Sequence, residues 1–184
     1  MSVDERREAA ENGDFAQLSL LVVGNVEDDV SGFGDEVTVL HYACKGGSVD
    51  CVVLLLEQCN ANVDTRDRNG LTPLMTAAQN GHVDVCKVLI QHNVGIEIST
   101  NSGYNALHCA LQHMHDNCVR LLIEKGAIIS NVKLNRHSTG IPSWVINFIA
   151  QRERCRHAAI VLLGSLRKVS TLLSPQLTAI SSCN

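Results

Sequence analysis

The sequence predicts an all-α protein built from stacked helix-turn-helix repeats, and three observations lead to this fold class. Short segments that begin at residues 38, 72 and 105 share one pattern of residue types, so the pattern recurs after 34 and then 33 residues. A second apolar stretch with helical spacing follows each segment. Aromatic residues make up only 3% of the 184-residue chain, so the core must consist mainly of Leu, Ile, Val, Ala and Cys side chains. A period near 33 residues is typical of a repeat array.

The first helix of each repeat is predicted from its capping residues and its apolar face. Three residues stand where a helix N-cap offers a side-chain oxygen to unpaired backbone N–H groups: Thr38, Thr72 and Asn105. Pro73 follows at the first helical position, where its missing N–H has no cost. A leucine then begins the apolar face of each helix: Leu40, Leu74 and Leu107. Gly47 and Gly81 can adopt positive φ, so we expect them to end the first two of these helices.

These segments resemble the ankyrin repeat, whose motif is T-P-L-H-x-A, then G-H, then V-x-x-L-L. The match is closest over residues 67–84, which read DRNGLTPL and later GHVD. The resemblance implies an ankyrin-repeat solenoid of helix pairs joined by β-hairpin loops, in which His41 and His108 tie neighbouring loops together by hydrogen bonds. It also divides the array, residues 1–130, into four units: a capping repeat (1–32) and three full repeats (33–66, 67–99 and 100–130).

The sequence departs from the family pattern at a few positions. Val39 replaces the motif proline in the first full repeat, and Met75 replaces the motif histidine in the second. In the third, Met114 stands where the glycine between the two helices belongs. The turn at Met114 is therefore the position at which the backbone is expected to differ.

The repeat pattern ends near residue 130, and the charge changes sign there. Residues 1–130 carry a net charge of −10, and the rest of the chain carries +6. We expect residues 131–170 to form a divergent, basic helical cap, with helices over 142–169, and residues 171–184 to form a flexible tail. The arginines at 152, 154 and 156 leave open association with nucleic acid or another acidic surface. Because no aromatic residues interleave with them and the repeats are acidic, nucleic acid is not the expected partner.

The segment from His108 to Cys118 is rich in residues that bind metals, and it leaves a zinc site as another alternative. We expect His113 to point to the concave face of the array and His115 to point to the turn between helices, so their side chains should diverge. The sequence therefore predicts no metal and no cofactor. The chain also contains no G-x-S-x-G, G-x-x-x-x-G-K-[ST] or H-E-x-x-H motif. A non-enzymatic protein without a small-molecule substrate is expected.

The cysteine pattern and the N-terminal residues bear on the compartment. The eight cysteines form no C-x-x-C motif and lie mostly within apolar helical patterns, as reduced, buried side chains do. The first ten residues are charged, and no apolar run is long enough to span a membrane. We expect an intracellular protein of the cytoplasm or the nucleus.

The remaining functional class is protein binding. The resemblance implies a concave surface of hairpin loops and first helices, on which a scaffold or adaptor protein binds another protein or a peptide. Carried over to this sequence, the family's contact positions are Asp35, Val37, Lys45, Arg68, Asn69, Leu71, Gln79, Asn80, Asn101, Ser102, Tyr104, Gln112 and His113. Arg68 and Tyr104 are the residue types that most often dominate binding energy.

Overall fold

The computed structural model describes residues 3–23, 37–128 and 145. The chain divides into two compact units, residues 1–138 and 139–184. Of the second unit only Val145 is described, a buried residue in a helix. Apart from Val145, the predicted basic cap and the predicted tail lie outside the described residues, and so do the three arginines of the cap. Asp35 of the first full repeat also lies outside them.

The described part of the first unit forms four helix pairs. The helices are α1 (Val3–Asn12), α2 (Phe15–Val23), α3 (Val39–Gly46), α4 (Val49–Glu57), α5 (Pro73–Asn80), α6 (Val83–Gln91), α7 (Ala106–Gln112) and α8 (Asp116–Glu124). The first helices of successive pairs pack against each other in the order α1, α3, α5, α7, and the second helices pack in the order α2, α4, α6, α8. This is the layered arrangement that the 33-residue period predicts.

The core between the layers is made of small and branched apolar side chains. Leucines that are at most 1% exposed occur in the helices of every pair: Leu18, Leu40, Leu55, Leu74, Leu89, Leu107 and Leu122. Alanines in the first helices are also buried, which allows neighbouring backbones to approach closely: Ala10, Ala43, Ala77 and Ala110. Each layer therefore buries its apolar side chiefly against the layers beside it.

The first helices begin with two kinds of cap. The Thr72 hydroxyl accepts the Met75 N–H at 3.3 Å, and the Asn105 side chain accepts the His108 N–H at 3.0 Å. The Thr38 hydroxyl instead lies 2.9 Å from Nδ1 of His41. His41 is the third residue of α3, so the Thr38 hydroxyl is paired with a side chain at the helix start, whereas the other two caps accept a backbone N–H.

The turns between paired helices use left-handed backbone conformations. Gly47 and Gly81 both have φ of 79° and end α3 and α5. Met114 at the matching position has φ of 57°, so the turn keeps its left-handed geometry without a glycine. The helices of the described ranges are all too short to cross a membrane.

Candidate protein-binding surface

The loop before α5, here called the second hairpin tip (residues 66–71), is closed by one aspartate. Oδ1 of Asp67 accepts the N–H groups of Asn69 at 2.9 Å and Leu71 at 2.7 Å. The backbone adds bonds from Gly70 N–H to the Asp67 carbonyl and from Asp67 N–H to the Leu71 carbonyl. Gly70 has φ of 78°, which this tight turn requires. The Asp67 carboxylate is consequently directed into the loop.

The loop before α7, the third hairpin tip (residues 99–104), has the same construction with a threonine. The Thr100 N–H donates to the Tyr104 carbonyl at 2.8 Å, and the Thr100 hydroxyl accepts the Tyr104 N–H at 3.0 Å. Gly103 has φ of 83° and donates to the Thr100 carbonyl. Two turns of one geometry therefore stand side by side.

Three hydrogen bonds join the second and third hairpin tips. Asn101 donates from its backbone N–H to the Asn69 carbonyl and from its side-chain amide to the Arg68 carbonyl, both at 2.9 Å. The Arg66 guanidinium donates to the Ser99 carbonyl at 2.8 Å. The two tips thus form one rigid platform.

The buried histidine of the first full repeat links its helix to the second hairpin tip. Nδ1 of His41 accepts the Thr38 N–H at 3.2 Å, so the ring proton resides on Nε2, which donates to the Leu71 carbonyl at 3.1 Å. Burial lowers the pKa of His41, and this effect exceeds the opposing effects of the Leu71 carbonyl and of Asp67. A neutral ring in this orientation holds the tip against α3.

His108 in the third repeat is as buried as His41 but has different contacts. Its backbone N–H is capped by Asn105, whereas its Nδ1 has no hydrogen-bond partner among the described residues. Its ring packs on Tyr104, with 4.2 Å between the ring centroids. Burial lowers the pKa of His108 as well. Within the described residues the His108 ring therefore contacts Tyr104, and the loop that follows its repeat lies outside the described residues.

Two further histidines link neighbouring repeats at the turns between helices. Nε2 of His82 lies 2.9 Å from the Lys45 carbonyl at the end of α3, and Nε2 of His115 lies 3.0 Å from the Gln79 carbonyl at the end of α5. Their rings pack so closely over Gly47 and Gly81 that a Cβ atom on either glycine would lie within 2.6 Å of a ring. These histidines fix the spacing of adjacent layers.

The predicted contact residues lie on the side of the stack formed by the first helices and the hairpin tips, here called the inner face. The following are exposed there: Lys45, Arg68, Asn69, Asn80, Asn101, Ser102, Gln112 and His113. Four others are half-buried: Val37, Leu71, Gln79 and Tyr104. Packing within and between the loops covers part of each of these four side chains.

Several inner-face residues already have partners within the protein. Lys45 pairs with Glu11 across α1 and α3 at 2.8 Å. The Asn80 amide donates to the Thr76 carbonyl of its own helix at 2.8 Å. These contacts hold the two side chains in fixed positions.

Sequence reasoning missed two features of the inner face. Arg66 was not predicted as a contact residue, although it is exposed on the same hairpin tip as Arg68. Arg7 of α1 lies over the ring of Tyr42 in α3, 4.8 Å from the ring centroid, as a cation–π pair. This pair depends on the stacking of two repeats and has no local sequence signal.

The metal-binding alternative is not supported by the placement of its residues. Among the described residues, which include all of 108–118, no three His, Cys, Asp or Glu side chains are grouped as metal ligands would be. The His113 and His115 rings stack with centroids 6.3 Å apart instead of diverging, so the expected divergence is wrong. Cys118 is buried in a thiol pair with Cys86, and the bond to the Cys118 sulfur raises the pKa of the Cys86 thiol. Burial also raises the pKa of Cys109 to about 11.

The opposite side of the stack, the outer face of second helices, contains a groove of about 660 Å³ between α4, α6 and α8. Its charged side chains have mixed signs: Asp84, Lys87, Arg120 and Glu124. Lys87 pairs with Asp84 at 2.7 Å. The groove therefore presents no single charge to a partner.

Comparison with known proteins agrees with this arrangement. The family model described as ankyrin repeats (3 copies) matches residues 7–102 and 54–135. The chain belongs to the ankyrin-repeat family. The all-α ankyrin solenoid predicted from the sequence is thereby confirmed, as is its protein-binding class.

The chain is similar to parts of several longer proteins. The probable E3 ubiquitin-protein ligase XBOS32 of Oryza sativa subsp. japonica is 35% identical over 117 residues, covering 62% of this chain and 23% of the relative. The ankyrin repeat and KH domain-containing protein mask of Drosophila melanogaster is 40% identical over 109 residues, covering 58% and 3%. The B-cell lymphoma 3 protein homolog of Mus musculus is 32% identical over 113 residues, covering 61% and 25%. The chain thus matches a quarter or less of each relative.

The part that these proteins share is the repeat array. Ankyrin repeats mediate protein–protein interaction and are not themselves catalytic.

Proposed function

We propose that this protein is a non-enzymatic intracellular scaffold or adaptor that binds a protein or peptide on its inner face. The observation that carries the proposal is the rigid platform of the two hairpin tips, on which exposed side chains stand on a backbone fixed by hydrogen bonds. Because this backbone is already ordered, association loses little conformational entropy.

The α5 and α7 helices extend the platform with polar side chains. The Gln112 side chain is exposed at the end of α7, and Gln79 is half-buried near the end of α5. Neither helix carries an Asp, Glu, Lys or Arg residue, and their one histidine, His108, is buried. Such a surface suits hydrogen bonds to a partner chain more than it suits a reacting group.

The test uses residues whose side chains can be truncated to Ala without disturbing the fold. Leu71 and Tyr104 are unsuitable because both are half-buried, and Tyr104 packs on His108. The inner-face triple variant is therefore Arg68→Ala, Ser102→Ala and Gln112→Ala. The matched outer-face variant is Arg120→Ala, Asn117→Ala and Gln91→Ala, which changes similar residue types on exposed parts of α6 and α8.

Affinity capture with quantitative mass spectrometry is carried out on both variants and on the unchanged protein. We expect the inner-face variant to lose specific partners that the outer-face variant retains, with unchanged helicity and melting temperature for both. Loss of the same partners by the outer-face variant alone would refute the proposal.

A further inference from the structure

We propose that the partner segment bound by the inner face is an extended acidic peptide, whose Asp or Glu side chains bind the arginines of the second hairpin tip. This inference rests on the proposed function and adds the chemistry of the partner. It begins from how charge is distributed in the second and third repeats.

The balance of charge in these repeats differs between the faces. The second helices and the loops that follow them carry four carboxylates and three cations, a net charge of −1: Asp84, Glu97, Asp116 and Glu124 against Lys87, Arg120 and Lys125. The hairpin tips carry Arg66 and Arg68, and their one acid is Asp67. The inner face of this part is therefore positive relative to the outer face.

The orientation of the tip side chains increases this difference. The Asp67 carboxylate is half-buried and accepts two backbone N–H groups inside the turn. Arg66 and Arg68 are exposed on either side of it. A peptide approaching the tip meets two guanidinium groups before it meets the carboxylate.

The Arg66 guanidinium and the Arg68 backbone are also held in place. Arg66 lies over Gly70, with Nη2 2.7 Å from where a Cβ atom would be, and it donates to the Ser99 carbonyl. The Arg68 backbone is held by the Asn101 amide. Since arginine has five N–H donors in a planar fork, a guanidinium that makes one such bond can still bind a carboxylate.

The adjoining surface suits the backbone of an extended chain. From the tips, α5 and α7 offer the amide groups of Gln79, Asn80 and Gln112, which can donate to and accept from peptide groups. No acidic side chain on either helix repels a carboxylate. The second hairpin tip thus provides the charge recognition and the helices provide the hydrogen-bonding track.

The occupant that fits this charge pattern is a peptide with a few acids. Residues 1–130 carry a net charge of −10, which repels a polyanion such as nucleic acid at long range. A short acidic segment is repelled less, because salt at physiological concentration screens charges that are more than about 8 Å away and the segment contacts only the hairpin tips. Close contact with the two arginines then decides binding.

Peptide display provides the test, with a random dodecapeptide library selected on the immobilised full chain. We expect selected peptides to be enriched in Asp and Glu and to bind less tightly as NaCl is raised. In fluorescence polarisation with a selected peptide, Arg68→Gln should weaken binding by about tenfold or more, as loss of a charge-assisted hydrogen bond does. The double change Arg66→Gln and Arg68→Gln should weaken it further.

Arg120→Gln is the matched control because it removes an exposed arginine from the outer face, and we expect it to leave the peptide affinity unchanged. The Arg68→Gln variant keeps the Arg66 bond to Ser99, so its result does not depend on loosening of the tips. Selected peptides that lack acids, or a selection that yields none, would overturn the inference. Peptides that are insensitive to the arginine changes but lost on Gln112→Ala would overturn the inference and support the proposed function. Peptides whose binding is unaffected by every inner-face substitution would count against both the inference and the proposed function.

Discussion

Met114 shows how a single residue can keep a turn at a cost in stability. Its φ of 57° is in the left-handed region that glycine occupies in the two preceding turns, and its side chain is 71% exposed. The side chain therefore gains little from burial while its Cβ strains the backbone.

We expect Met114→Gly to raise the free energy of unfolding by about 1 kcal/mol, because glycine adopts positive φ without this strain. Denaturant unfolding measures the change. Met114→Ala removes the same exposed side chain but keeps a Cβ atom, so it should differ little from the unchanged protein. Equal stability of the Gly and Ala variants would show that the turn carries no strain.

His41 makes stability dependent on pH through its buried, neutral ring. Burial lowers its folded-state pKa below the ordinary value of 6.5. As the pH falls through 6.5, the unfolded chain binds a proton that the folded chain does not bind, so the free energy of unfolding decreases until the pH reaches the folded pKa.

We expect His41→Gln to be less stable than the unchanged protein at pH 7 but to lose less stability between pH 7 and pH 5. Urea unfolding at several pH values measures both quantities. The free energy of unfolding of the variant should still depend on pH to some extent, because burial also lowers the pKa of His108. An identical slope for the variant and the unchanged protein would contradict the role assigned to His41.

Helix α5 is packed on both sides by other first helices, since it lies between α3 and α7. Leu74 on this helix is 1% exposed. We expect Leu74→Ala to lower the free energy of unfolding by about 2–5 kcal/mol through the cavity it leaves. Thermal or urea unfolding measures the loss.

Leu20 in α2 is the comparison residue, because it has the same chemistry but is 75% exposed. Leu20→Ala should change stability by less than about 0.5 kcal/mol. Similar losses for the two variants would indicate that α5 is not packed between two layers.

The repeat array as a whole is held by contacts between neighbours. Backbone and side-chain bonds cross from one repeat to the next at the hairpin tips through Asn101, and at the opposite turns through His82 and His115. An array of this kind transmits a disturbance mainly to adjacent layers.

Hydrogen exchange can detect this one-dimensional coupling. Leu18→Ala alters α2, which packs on α1 and α4, and we expect it to increase exchange in α1 and α2 while α5 and α6 stay protected. Leu74→Ala should increase exchange on both sides of α5. Loss of protection over all the described helices in the Leu18→Ala variant would mean that the array unfolds as a single unit.

Local sequence was enough to predict the helices and their order. The signals for each helix lie within one repeat: apolar residues at helical spacing, N-cap side chains at 38, 72 and 105, and glycines at 47 and 81. The 33-residue period then gives the spacing at which the helix pair recurs. The position of Met114 was identifiable for the same reason, since alignment of repeats places it opposite the two glycines.

Which side chains remain open to a partner depended on contacts between repeats. Asn101 looks available in the sequence, but its side-chain amide is bound to a carbonyl 33 residues earlier in the chain. Tyr104 is partly covered by His108, and His113 stacks on His115. The repeat period determines the order of the layers. The exposure of a side chain depends instead on contacts of a few ångströms between neighbouring layers, and the sequence of one repeat holds no information about those contacts.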